Sequence, residues 1–146
     1  MMYSNNKQDV LARLLVESLR YADVWVKVKG GSMAPCLKDG MLVLVSSPER
    51  IFCSDILVYH YEGGIIIHRL MRRYRKDGGS ALYQTKADNG YALDEPVSLE
   101  DICGKVVALK SGSDIIRLDS FWGRIRATCS YLASLSKLVF HKYVKA

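Results

Sequence analysis

Apolar and polar residues alternate along the middle of the chain, and that period of two predicts strands. Val24-Trp25-Val26-Lys27-Val28-Lys29 is apolar at every second position, as in a strand with one buried face. Met41-Leu42-Val43-Leu44-Val45 and Ile65-Ile66-Ile67 are near-continuous apolar runs of strand length. From Ile65 the pattern runs on through Tyr74 into Asp77-Gly78-Gly79 and returns as Ala81-Leu82-Tyr83-Gln84-Thr85, which predicts a hairpin. Lys105-Val106-Val107-Ala108-Leu109 predicts a further strand before a Ser111-Gly112-Ser113 turn. Strands are thus expected near 24–29, 41–46, 56–60, 64–74, 81–86 and 104–109. They predict a mainly β (α+β) fold, built on a small, curved, largely antiparallel sheet.

At both ends the period lengthens to that of a helix. Val10 to Arg20 predicts an amphipathic helix with Val10, Leu11, Leu14, Leu15 and Leu19 on one side. Residues 120–143 predict a second, with Ile125, Cys129, Leu132, Leu135 and Val139 in a stripe and Arg124, Arg126 and Lys137 off it. Packing such a stripe back on the domain is the ordinary outcome. A basic amphipathic helix beginning near Phe121 and Trp122 is also suited to an anionic bilayer surface. The expected organisation is an N-terminal amphipathic helix over 1–22, a β core over 23–110 and a basic amphipathic C-terminal helix over 111–146.

Composition narrows the class. A chain of 146 residues, 49% apolar, is one domain able to bury a core. Its net charge of +6 favours acidic partners, either lipid headgroups or nucleic acid. Cys36, Cys53, Cys103 and Cys129 are widely spaced without a Cys-x-x-Cys pair, which argues against zinc and a disulfide scaffold and suits reduced thiols. No metal or cofactor is expected. The N-terminal apolar run carries charges, so it is neither a secretory signal nor a spanning helix, and a cytoplasmic or peripheral location is expected.

Three segments carry candidate chemistry. Gly30-Gly31-Ser32-Met33-Ala34-Pro35 sets a serine at a turn between two strands, where a nucleophile can meet a carbonyl. His68, inside an apolar run, is an imidazole able to take a hydroxyl proton and return it; the ordinary histidine pKa is about 6.5. Lys86-Ala87-Asp88-Asn89-Gly90-Tyr91-Ala92-Leu93-Asp94 offers two carboxylates to orient that imidazole, and triads are defined by geometry rather than chain order. Singly, each has a plainer reading as turn serine, core histidine or turn acid.

Four boxes in order change that balance. Gly31-Ser32-Met33-Ala34-Pro35 with Leu37, Ser54-Asp55-Ile56-Leu57-Val58-Tyr59, Ile67-His68-Arg69-Leu70, and Lys86-Ala87-Asp88-Asn89 with Asp94 together resemble the type I signal peptidases. Histidine where most bacterial members carry lysine is similar to the serine–histidine branch of the endoplasmic reticulum, the archaea and some Gram-positive bacteria. The resemblance covers residues 24–109. It implies Ser32 as nucleophile, His68 as general base, Asp94 as the acidic partner and Asp88 as a second acid. Which acid completes the triad stays open at this level. It also implies a precursor peptide substrate with small residues flanking the cut. The chain departs from that family in Ala87 for glycine, in the order Asp39-Gly40 and in Gly30 where an oxyanion-assisting hydroxyl is usual, and no membrane anchor is expected. Loss of one oxyanion donor typically costs ~10²–10³ in rate.

Two further readings compete. Self-cleaving repressors share this catalytic fold, but they use lysine as base, and this chain has no Ala-Gly dipeptide and few residues before Ser32. A non-catalytic basic β-domain would use Arg72, Arg73, Arg75 and Lys76 to hold an acidic ligand, lipid or nucleic acid; no specific nucleic acid is expected. His60 is a competing imidazole near the Glu62-Gly63-Gly64 turn that matches no family position, and Asp55 reads as a turn-stabilising acid.

Overall fold

The alternating segments form one open antiparallel sheet in the computed structural model, which describes residues 6–144. Residues 1–5 of the N-terminal segment and 145–146 of the C-terminal one lie outside the described residues. In chain order the elements are α1 (Asn6–Leu19), β1 (Val24–Lys27), β2 (Leu42–Ser46), β3 (Ile56–Tyr61), β4 (Gly64–Arg75), β5 (Ala81–Lys86), β6 (Val97–Ser98), β7 (Ile102–Ser111), β8 (Asp114–Arg117) and α2 (Phe121–Val144). A single 3-10 turn, Leu99–Asp101, leads into β7. The strand order is β1-β2-β7-β3-β4-β5-β6, with β8 paired to β7 beyond the end of β3. The fold is mainly β, as the alternation predicts. The pattern did not single out β6 and β8, which are short.

Three register shifts bend the sheet, at Leu44/Val45, Val58/Tyr59 and Leu70/Arg72. Each extra residue adds local twist, so the long β4 pairs with β3 by its first half and with β5 by its second. Two apolar clusters result. On one face Ala12, Leu15 and Leu19 of α1 pack with Val43, Val45, Val58 and Val106. On the other, Leu57, Tyr59, Leu70, Tyr83, Val97 and Ile102 form a smaller cluster. Of the apolar residues expected to share one side of α1, Leu15 and Leu19 are buried, whereas Val10, Leu11 and Leu14 are exposed.

The C-terminal helix docks in an unusual orientation. Ser120 caps it, its Oγ accepting from Gly123 N at 3.1 Å. The residues turned toward the body are mostly small or polar, Gly123, Ala127, Ser130, Tyr131 and Ser134, with Leu138 half-buried among them. The stripe Ile125, Cys129, Leu132, Leu135 and Val139 faces outward and is exposed. Two observations account for this. A Cβ on Gly123 would collide with Arg117 O and the Leu118 backbone, so only glycine allows the close approach. The polar side also supplies partners to groups in the body: Tyr131 Oη donates to Met71 O at 3.0 Å, Ser134 Oγ meets Lys86 Nζ at 2.7 Å, and Lys137 Nζ donates to Asp88 O at 3.0 Å. Leaving buried polar groups unpaired costs about 1–3 kcal/mol each, which offsets the burial forgone by the stripe.

Gly104 tests the packing of α1 on the sheet. A Cβ there would lie 2.7 Å from Ser46 O, 2.7 Å from Val45 Cγ1 and 3.0 Å from Leu19 Cδ1. Gly104→Ala should therefore destabilise the fold by about 1–3 kcal/mol. Gly31→Ala, which meets nothing within 4 Å, should leave the melting temperature nearly unchanged. Parallel thermal melts of the two variants check the contrast.

Candidate active site

Period-two geometry on β4 sends neighbouring residues to opposite faces of the sheet. His68 lies opposite Leu57 of β3, on the face of the smaller apolar cluster. Arg69 lies opposite Ile56 of β3 and Lys86 of β5, on the other face. The two candidate carboxylates are sorted by the same alternation, one to each.

Asp94 goes to His68. Its Oδ2 is 2.7 Å from His68 Nδ1, and its backbone N donates to Thr85 O at 2.9 Å, which holds the loop after β5 against that strand. The same Oδ2 accepts from Thr85 Oγ1 at 2.7 Å and from Tyr59 Oη at 3.3 Å, and the Tyr59 and Thr85 hydroxyls are 2.9 Å apart. Gln84 Nε2 donates to Asp94 O at 2.8 Å. Burial raises the Asp94 pKa, but hydrogen bonds from His68 and Thr85 and the His68 charge outweigh it and hold the carboxyl below its ordinary value. A depressed carboxylate stabilises the fold above its unfolded pKa and loses that contribution as pH falls through its folded one. Asp94 is thus a carboxylate near neutral pH and can only accept, so Nδ1 carries the proton and Nε2 is the ring's acceptor. Burial also pushes the Tyr59 hydroxyl pKa upward, keeping it a neutral donor.

Asp88 goes to Arg69 instead. Arg69 Nε and Nη2 donate to Asp88 Oδ1 and Oδ2 at 2.8 and 2.7 Å, a bidentate pair whose members are only 1% and 6% exposed. Arg69 Nη1 donates to Ser54 O at 2.8 Å. Lys86, fully buried on the same side, donates to Ala87 O at 2.8 Å, and burial lowers its pKa.

Ser32 sits exposed in the turn between β1 and β2. Met33 and Leu37, both buried, pin the turn from below. Asn89 N donates to Ser32 O at 2.9 Å, Asn89 Nδ2 to Gly31 O at 3.4 Å, and Asp88 N to Met33 Sδ at 3.4 Å. The Asp88-Asn89 turn is therefore stitched to the serine turn by main-chain contacts. Gly30 N donates to Asp39 Oδ1 at 2.8 Å.

The other sequence candidates lie elsewhere. Asp55 Oδ2 accepts from Phe52 N at 2.9 Å and pairs with Lys105 at 3.3 Å. His60 Nε2 approaches Asp9 of α1 at 2.7 Å. Arg72 and Arg73 lie over the Tyr74 and Tyr83 rings at 5.1 and 5.5 Å. Among the described residues no group of three or more His, Cys, Asp or Glu is placed to hold a metal ion. Sequence reasoning did not find Arg69, Thr85 or Tyr59 as partners of the two acids. The signal for Arg69 was present: a charge beside His68 in an apolar strand points to the opposite face and, once buried, requires a carboxylate.

Comparison with known proteins places the chain in a family. The catalytic subunit SEC11 of the signal peptidase complex of Eremothecium gossypii is 35% identical over 72 residues, which cover 47% of this chain and 43% of that protein. The chain thus matches less than half the length of that relative. No helix among the described residues is long and apolar enough to cross a membrane. The family model for Peptidase S24-like proteins matches residues 3–107, most of the chain, and the protein belongs to the Peptidase S24-like family.

Proposed function

We propose that this protein is a serine endopeptidase that removes a signal or leader segment from a precursor peptide. The observation that carries the reading is the 2.7 Å bond between His68 Nδ1 and Asp94 Oδ2, which leaves Nε2 as a base. His68 Nε2 takes the Ser32 Oγ proton as Oγ attacks the scissile carbonyl carbon. The resulting imidazolium, steadied by Asp94, gives that proton to the leaving amine as the peptide bond breaks. Water, deprotonated by the same nitrogen, then releases the acyl group and restores Ser32. The Ser32 backbone N–H serves the oxyanion. With Gly30 in place of a hydroxyl residue, turnover is modest.

The membrane contact also belongs to this reading. The outward stripe of α2 is flanked by Arg124, Arg126 and Lys142, and the helix contains no acidic residue. Trp122 and Phe121 stand exposed at its start. A helix of this kind lies in the headgroup region of an anionic bilayer, where apolar burial and charge act together.

The reaction is tested by incubating the protein with a diverse peptide pool and reading new termini by mass spectrometry. Cuts after small residues are expected, and Ser32→Ala and His68→Ala should each abolish them; equal cutting by Ser32→Ala would refute the nucleophile. On the acid side the rate should fall with a slope of one proton, because Asp94, held below the ordinary carboxylate range, stays ionised and adds no second proton. A slope of two would place Asp94 in the same titration.

The two acids should separate by assay. Asp94→Asn should lower kcat by orders of magnitude through the wrong imidazole tautomer, with a smaller loss of melting temperature than Asp88→Asn. Asp88→Asn strands a buried guanidinium and should cost about 3–5 kcal/mol, or roughly 6–20 °C in Tm. Vesicle co-sedimentation checks the helix: binding to anionic vesicles should weaken with salt and with Trp122→Ala/Leu132→Ser, and neutral vesicles should bind poorly.

A further inference from the structure

The inner face of α2 leaves space that no side chain among the described residues fills. Between the helix and the body lies a cavity of about 900 Å³, at the upper end of the roughly 300–1,000 Å³ usual for ligand pockets. Of the four candidate catalytic residues it touches only Asp88, so it is not the peptidase site. Ala127, Ser130 and Ser134 form its helix wall. Its apolar lining comes from Met41, Leu42, Leu109, Ile116 and Leu118.

The charges around it are unbalanced. Three of its four carboxylates are already paired, Asp55 with Lys105, Asp88 with Arg69 and Asp119 with Arg117. The fourth, Asp39, accepts from Gly30 N. Lys38, Lys110, Arg124 and Arg126 also line the cavity, and none forms an ion pair among the described residues. Arg124 is held over the Phe52 ring at 4.8 Å instead. An apolar void ringed by unpaired cations selects a ligand with one apolar chain and one anionic head. A free inorganic anion would leave the apolar wall unused, and a neutral chain would leave the cations unused.

We propose that this cavity binds a single lipid-like amphiphile, an alkyl chain bearing a phosphate or carboxylate head. The chain lies along Leu109, Ile116 and Leu118 beneath α2, and the head meets Lys110 and Arg126. The cavity is not lined by Ser32, His68 or Asp94, and its failure to bind leaves the Ser32 reading untouched.

Titration calorimetry of the full chain with dodecyl phosphate, below its micelle concentration, tests this. One saturable site is expected, with inorganic phosphate and neutral dodecyl maltoside each at least about tenfold weaker. Lys110→Ala/Arg126→Ala should weaken dodecyl phosphate by roughly tenfold or more. Ala127→Trp, which fills the void, should abolish binding. Should that variant melt early, the charge variant, altered at two exposed side chains, carries the test alone. Trp122→Ala/Leu132→Ser, altered on the outer stripe, should bind as the parent does. Absence of a saturable site, equal binding of dodecyl maltoside, full affinity in the charge variant, or loss in the outer-stripe variant would each overturn the proposal.

Discussion

The buried pair between Arg69 and Asp88 is the interaction on which the arrangement of the site depends. Two charges removed from water at the edge of the core persist only because both carboxylate oxygens and three guanidinium nitrogens are satisfied. Satisfying them fixes the turn after β5. That turn donates to the main chain of the Ser32 turn and to Met33, while its own carbonyl receives Lys137 from α2. One ion pair thus locks together the β1–β2 turn, the β4–β5 layer and the C-terminal helix. The nucleophile candidate sits on a long loop, and loops hold position only when rigid elements fasten them.

On the opposite face the same two strands build a different environment. His68, Tyr59 and Thr85 converge on one oxygen of Asp94 with distances between 2.7 and 3.3 Å. Here the carboxylate is half-exposed and its partner is an imidazole with a free nitrogen, a combination suited to moving a proton. The Asp88 carboxylate is saturated by a permanent cation and suited to holding structure. The chemical difference between two aspartates six positions apart comes from the pleat of β4 and β5.

The C-terminal helix follows an unusual compromise. Its apolar stripe is turned away from the body, and a mostly small and polar side, joined by Leu138, is turned in. Polar satisfaction of Lys86, Met71 O and Asp88 O, with the glycine contact at Gly123, outweighs hydrophobic burial at this interface. The consequences are an exposed apolar surface without acidic residues and an unfilled, cation-lined space beneath it. A helix docked by its apolar side would present neither.

Much of this protein was legible in its residue pattern. The period-two segments marked six strands close to their observed limits, because alternation records which face of a strand meets the core. The longer period marked both helices, and four ordered boxes pointed to Ser32, His68, Asp88 and Asp94 as the residues to inspect. Short β6 and β8 escaped, since the two residues Val97-Ser98 are too few to display a period and Asp114-Ile115-Ile116-Arg117 carries no apolar-polar alternation. Three matters required the folded chain: which acid meets His68, what neutralises Arg69, and which side of α2 faces the body. Each turns on contacts between residues far apart in sequence, and there the competition between burying apolar surface and pairing buried polar groups is settled by three-dimensional proximity rather than by local pattern.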